Sequence, residues 1–351
     1  MSEQVPAQAD PTAPSPWSKV AAAVALLTVI VSVLLTAFAW PSVRSSVHDV
    51  PIAIAGPAAA VQQVTDALEQ RMPDAFEITT VGSTAEAERL IRDRKVYGAI
   101  DVSTGAPQVI TATAGSASVA QTLQSIGTAL AQAQAQGSAP AVAVRDIVAL
   151  PADDPRGAGP AAGALPLVMG GLLAAVLLTN LLKGTGRRVA GALAYAVAAG
   201  LALTAILQFW FGSLDGSYLA NFGAVALSIG ATAMTLLGLE SLFGYAGFGL
   251  GAVIMMLVGN PLSGSGSAPE MLPGWSGALG QLLPPGAGNQ LLRSTAFFDG
   301  HGAAPAVIVL TCWLALGAVL CLAGGLRARR VVATGRAGAD ESAQPAVPAA
   351  V

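Results

Sequence analysis

Six apolar runs punctuate the chain: Val20 to Ala39, then about 162–182, 189–211, 222–239, 243–259 and 304–325. A helix needs about 20 apolar residues to cross a bilayer, so the pattern predicts an integral membrane protein of about six transmembrane α-helices. Trp17 and Trp40 bracket the first run at the spacing of two membrane interfaces. Ala37-Phe38-Ala39 has the form of a signal cleavage site. The run exceeds the roughly 7–15 residues of a signal peptide's apolar region, however, and its flank is weakly basic, so it reads as an uncleaved anchor. The pair within 222–259 is short for two full spans and a turn, and fits a tight hairpin or a partly re-entrant segment. Gly244, Gly247 and Gly251 form a small-residue stripe there, expected to pack helix against helix.

Between the first and second runs the period changes. Val50 to Ala55 reads as a strand, and Gly56-Pro57 opens a helix with Val61, Val64 and Leu68 on one face. Phe76 to Val81 is a second strand. Ser83 followed by Glu86 is a capping box, starting a helix with Ala87, Leu90 and Ile91 inward. Strands are expected at Val96 to Val102 and Pro107 to Thr113, and a helix from Ser116 to Gln136 with Val119, Leu123, Ile126 and Leu130 as its stripe. Alternating strands and helices predict a small α/β domain with a partly parallel sheet, inserted at 41–160 between helices 1 and 2. It contains no cysteine, so packing alone must hold it, and a chain of that length is expected to fold by itself. Cys312 and Cys321 share one helix about 13 Å apart, too far for a disulfide.

Charge gives the runs a direction. The chain is 54% hydrophobic and 11% charged, against about a quarter charged in soluble domains, so one water-soluble core is excluded. Lys19, the turn with Lys183, Arg187 and Arg188, and the run Arg327, Arg329 and Arg330 all fall on one side when the runs are counted off. The positive-inside rule makes that side cytoplasmic. The expectation is a multi-pass cell-membrane protein with both termini inside and 41–160 extracytoplasmic. The ends 1–18 and 327–351, rich in Ala, Gly and Pro, are expected to be unordered tails around helix 1 at 19–40 and the five-helix part at 161–326.

Candidate chemistry is sparse. A net charge of −3 and few aromatics give no reason to expect nucleic acid, and the lipid bilayer is the one constant partner. No G-x-x-x-x-G-K-S/T or G-x-S-x-G occurs, and His48 and His301 lack ligand-like neighbours, so no cofactor, metal or enzymatic activity is expected. Glu240, the one acid inside a long apolar stretch, is a functional candidate, although it falls near the cytoplasmic end of its helix. Arg293 is the one Lys or Arg between Arg188 and Arg327. Its fork suits a lipid headgroup or an acid such as Asp153 or Asp154, and the alternative is simple snorkelling. Arg89, Arg92, Arg94 and Lys95 read as the solvated end of a helix. In 260–303, repeated prolines are expected to break any helix while apolar residues keep the segment at the membrane surface or folded back on the bundle, as a lid or as a packed loop.

Three stretches carry a family likeness: Val96-Tyr97-Gly98-Ala99-Ile100; Asp146-Ile147-Val148 with Asp153-Asp154-Pro155-Arg156-Gly157; and Gly259-Asn260-Pro261-Leu262-Ser263-Gly264 with Leu272-Pro273, Leu283-Pro284-Pro285-Gly286-Ala287 and Arg293. Together they resemble the membrane subunits of ABC-2-type exporters, and more narrowly the YhgE/Pip (phage-infection-protein) branch of actinobacterial type, over about 40–325. The resemblance implies a permease-like subunit that moves a lipophilic or cell-envelope substrate outward, as a homodimer served by a separate ATPase. It also draws attention to Asn260, Pro261 and Gly264. The 183–188 turn is short for a surface on which an ATPase docks. The alternative is a non-transporting membrane scaffold whose outer domain serves a secretion apparatus or acts as a surface receptor.

Overall fold

The computed structural model describes residues 15–104, 107–134 and 142–342. The tail expectations for 1–14 and 343–351, and the end of the helix expected to reach Gln136, lie outside the described residues. α1 (Trp17–Val43) leads into an α/β domain of β1 (Val50–Ala55), α2 (Ala58–Arg71), β2 (Phe76–Val81), α3 (Thr84–Arg92), β3 (Gly98–Asp101), β4 (Gln108–Thr111), α4 (Ala117–Gln134) and β5 (Ala143–Asp146). The sheet order is β2-β1-β3-β4-β5, parallel throughout except for the β3–β4 pair.

Alternation along β1 sorts the domain into layers. Val50, Ile52 and Ile54 point to one face and pack with Val61, Val64 and Leu68 of α2 and Val119, Leu123 and Ile126 of α4. Ala53 and Ala55 point to the other, where Ala87 and Ile91 of α3 lie. The side chain of Ser83 accepts from the Glu86 amide and caps α3. Neither layer is built from the domain alone. Ala268 and Met271 join the first, and Phe298 joins the second, all three from the membrane part of the chain.

Beyond the domain come α5 (Ala158–Leu181), α6 (Thr185–Ala205, continued as a π turn to Trp210), α7 (Tyr218–Phe243), α8 (Tyr245–Val253, continued as a π turn to Gly259), α9 (Ser276–Gln281), α10 (Pro284–Phe297) and α11 (Ala304–Ser342). Among the described residues five helices are long and apolar enough to cross a membrane: α1, α5, α6 with its π turn, α7, and α11 up to Arg330. The chain therefore has the make-up of a membrane protein. Asp154 starts α5 by accepting from the amides of Ala158 and Gly159, both at 2.7 Å. α7 is the hub, contacted by α5, α6, α10 and α11. Glycines permit the approach: a Cβ on Gly317 of α11 would meet the α7 backbone at Met234 and Thr235, and one on Gly200 of α6 would meet Ala226. α1 stands apart, buried only at Pro41.

One open point is sharpened and three expectations need correction. The fifth apolar run, 243–259, left open from the sequence as a tight hairpin or a partly re-entrant segment, forms a helix that at about 1.5 Å per residue covers only about 22 Å, short of the roughly 30 Å hydrocarbon core. It folds back along α7, with Gly247 against Leu239 and Gly251 against Leu236 and Leu239, while Gly244 makes the turn at φ +69°. The segment 260–303 is not helix-free. Pro284 and Pro285 occupy the first turn of α10, where proline costs no hydrogen bond, so they start a helix instead of breaking one. At the far end, α11 runs on to Ser342, so 327–342 is helical; its Ala and Arg residues are strong helix formers. At the other terminus α1 begins at Trp17, inside the stretch expected to be tail.

Candidate functional site

The α/β domain rests on the segment 260–303, and the join is polar and buried. α10 supplies most of it. Ten of its fourteen residues are buried, from Pro284 and Pro285, the latter against Gly259, to Ala296, whose carbonyl approaches Gly216. Arg94 follows the end of α3 in a left-handed conformation, φ +57°. A bulky side chain rarely adopts that backbone, and such strain persists only where the surroundings fix it. Here they do. The Arg94 guanidinium donates to the Gln290 carbonyl at 3.1 Å, to the Gln290 side-chain oxygen and to the Ser294 hydroxyl, and it lies 5.1 Å from the centre of the Phe298 ring. Burial, and then the nearby Arg293, pull its pKa down to about 10, so it stays charged at neutral pH.

A second contact lies beside the first. The Tyr97 hydroxyl donates to Glu270 at 2.8 Å. Burial and then the Glu270 charge push the Tyr97 phenol well up, which keeps it a donor. Arg293 closes the join from the bundle side, donating to the Gly115 carbonyl at 2.7 Å and the Ser265 carbonyl at 3.3 Å. It therefore has fixed partners, but they are backbone oxygens. Asp154, proposed from the sequence as an acid for its fork, is used up in starting α5. Asp153 packs against Gly212. Ser45 and Ser46 add bonds to the Met271 carbonyl, each 3.0 Å.

Above α10 the join opens into a cleft of about 620 Å³. Its two walls differ. His48, Asp49, Arg94 and Tyr97 of the α/β side, with Glu270, form a charged wall. Ala278 and Leu282 of the α9 turn, Ala287 of α10, and Pro305, Ala306 and Val309 of α11 form a mainly apolar one, interrupted by Gln281 and Gln290. At about 1.5 Å per residue, Val309 lies about 8 Å inside α11 from Ala304, so the cleft runs from polar surroundings into a candidate membrane span. The indole of Trp313 holds the apolar wall in place by donating to the Leu282 carbonyl at 2.8 Å.

The sequence candidates are divided by the fold. Asn260, Pro261 and Gly264 line a separate groove of about 430 Å³ against Phe38 and Pro41 at the end of α1. Gly264 is left-handed at φ +66° and turns that loop toward Ser265, the partner of Arg293. Glu240 lies far from all of them, about 18 Å along α7 from Ser228, the residue that faces Gly288 of α10. It pairs with Arg188 at 3.1 Å, and Arg188 also donates to the carbonyls of Thr179 and Leu182, both at 2.9 Å. That ties the α5–α6 turn to the end of α7. Arg94, read from the sequence as a solvated cation, is the residue sequence reasoning missed. Its partners lie about 200 positions away, and the one local signal was a long side chain immediately after a helix end.

Among the described residues no group of three or more His, Cys, Asp or Glu is placed to hold a metal. Comparison of the chain with protein-family models, with curated proteins and with solved structures finds no match.

Proposed function

We propose that this chain is the permease-like membrane subunit of an ABC-2-type exporter, related to the YhgE/Pip branch, and that it moves a lipophilic or cell-envelope substrate outward across the cell membrane. In this reading the α/β domain is outside and both termini are cytoplasmic. The observation that carries it is the cleft, where a charged wall faces an apolar wall at the end of a membrane span. Such a lining suits a molecule that leaves the bilayer tail last. The bundle of one copy is closely packed around α7, so the translocation path runs between two copies. A separate ATPase supplies the energy through the short α5–α6 turn, which Arg188 ties to the end of α7.

The closed bundle also favours a second reading, a scaffold that displays the α/β domain to a secretion apparatus or as a surface receptor. Purification of the full chain in mild detergent separates the two. Co-elution of an ATPase, together with loss of a surface lipid or envelope component in cells lacking the chain, is the exporter result. Co-elution of envelope proteins without an ATPase, and an unchanged surface, would overturn it.

A further inference from the structure

We infer that the cleft between the α/β domain and the start of α11 seats an amphiphile with a zwitterionic head: its anion faces Arg94, its cation faces Glu270 and Asp49, and its tail lies along α11. This rests on the reading of that cleft as the substrate-facing site and adds the chemical class of the ligand.

Three features lead there. First, the charges are mixed. One guanidinium and two carboxylates line the same cavity, so a purely anionic head would meet Asp49 and Glu270, and a purely cationic head would meet Arg94. A head carrying both signs meets an opposite charge at each. Second, the charged groups retain bonding capacity. Three of the five N–H donors of Arg94 are taken by Gln290 and Ser294. Glu270 accepts from Tyr97 through one oxygen. Each is thus fixed by the protein and still able to bond a ligand, which is how a site is organised before binding. Third, the cavity extends to Val309, within the α11 span, and its volume of about 620 Å³ lies inside the roughly 300–1,000 Å³ of small-molecule sites. It has room for a head and the first part of a tail.

The test uses purified full-length protein in detergent and three fluorescent single-tail probes of one chain length: lysophosphatidylethanolamine, lysophosphatidylglycerol and monoacylglycerol. The first is expected to bind at least about tenfold more tightly than the other two. Glu270→Gln keeps an acceptor for Tyr97 but removes the charge, so it should weaken the zwitterionic probe about tenfold and leave the anionic probe equal or tighter. Ala278→Trp, at an exposed position of the apolar wall, should weaken all three. Melting temperatures confirm that each variant is folded. Equal binding of the three probes, or unaltered selectivity in folded Glu270→Gln, would overturn the inference. Selective binding in a chain that exports nothing would keep the inference and remove the transport reading. Export without selective binding would overturn the inference alone.

Discussion

In the α/β domain the deepest positions belong to branched side chains: Ile52, Ile54, Ile91, Ile100, Ile110 and Leu123 are all fully buried. The helix bundle also buries Ile229, Leu236 and Leu310, but its closest helix approaches are made at glycines: Gly317 on the α7 backbone, Gly238, where an added Cβ would lie 2.6 Å from the Gly317 carbonyl, and Gly324 against Ser241. The difference follows from solvent. Water drives apolar side chains together, so the domain gains by burying large ones. Lipid is as apolar as leucine, so helices in a bilayer associate through close van der Waals contact, which small residues allow. The domain should therefore be the more sensitive to side chains cut back from its core, and the bundle to side chains added at its helix-contact glycines.

The largest effect is expected in the bundle. Gly317→Leu places a side chain where a Cβ alone would meet the Met234 carbonyl and lie 2.6 Å from the Thr235 nitrogen, backbone that cannot step aside. The detergent-solubilised protein should lose its single size-exclusion peak. Gly249→Ala, with open space around the added carbon, should keep it. A folded Gly317→Leu would mean that α7 and α11 are not this close.

Next comes the domain. Phe298 is 5% exposed and completes the α3 layer of its core, so Phe298→Ala should cost about 3–5 kcal/mol. Hydrogen exchange in β3, β4 and α3 should accelerate while that in α5–α7 does not. The same dependence sharpens the expectation that the domain folds alone. Residues 46–155 lack Ala268, Met271 and Phe298, and should unfold cooperatively but at lower temperature than the domain within the full chain.

The join between the regions is expected to respond more modestly. Arg94→Gly relaxes the left-handed backbone while removing the bonds to Gln290 and Ser294, and a net loss of about 2 kcal/mol should appear as faster exchange across 284–297. Unchanged exchange there would mean that Arg94 does not hold the join. Smallest is Glu240→Gln, expected to cost on the order of 1 kcal/mol because the amide oxygen can still accept from Arg188, which keeps both of its carbonyl partners. A larger loss of function with the fold intact would restore Glu240 as a functional acid.

The two regions also differ in how far the sequence discloses them. Helical stripes located α2, α3 and α4 because each buries one face, and short apolar runs located β1, which is buried on both faces, and β2. β5 was not legible: Ala143–Asp146 is exposed along its whole length, so no alternation marks it. In the bundle, hydropathy located the long helices, but a helix apolar all round does not disclose which face packs where. α10 was hidden by Pro284-Pro285, which mark a helix start as readily as a break. The cleft itself joins Arg94, Glu270 and Val309, which no local pattern relates; only the fold brings them together.

The orientation behind the functional proposal can be measured directly. In a Cys312→Ser, Cys321→Ser background, single cysteines replace Ser103 in the α/β domain and Gly186 in the first turn of α6, both exposed. Intact cells are treated with an impermeant thiol reagent and then opened and treated again. The account predicts that Ser103→Cys labels in intact cells and Gly186→Cys only after opening. Labelling of Gly186→Cys in intact cells, with Ser103→Cys protected, would place the cleft on the cytoplasmic face and contradict the account of outward export.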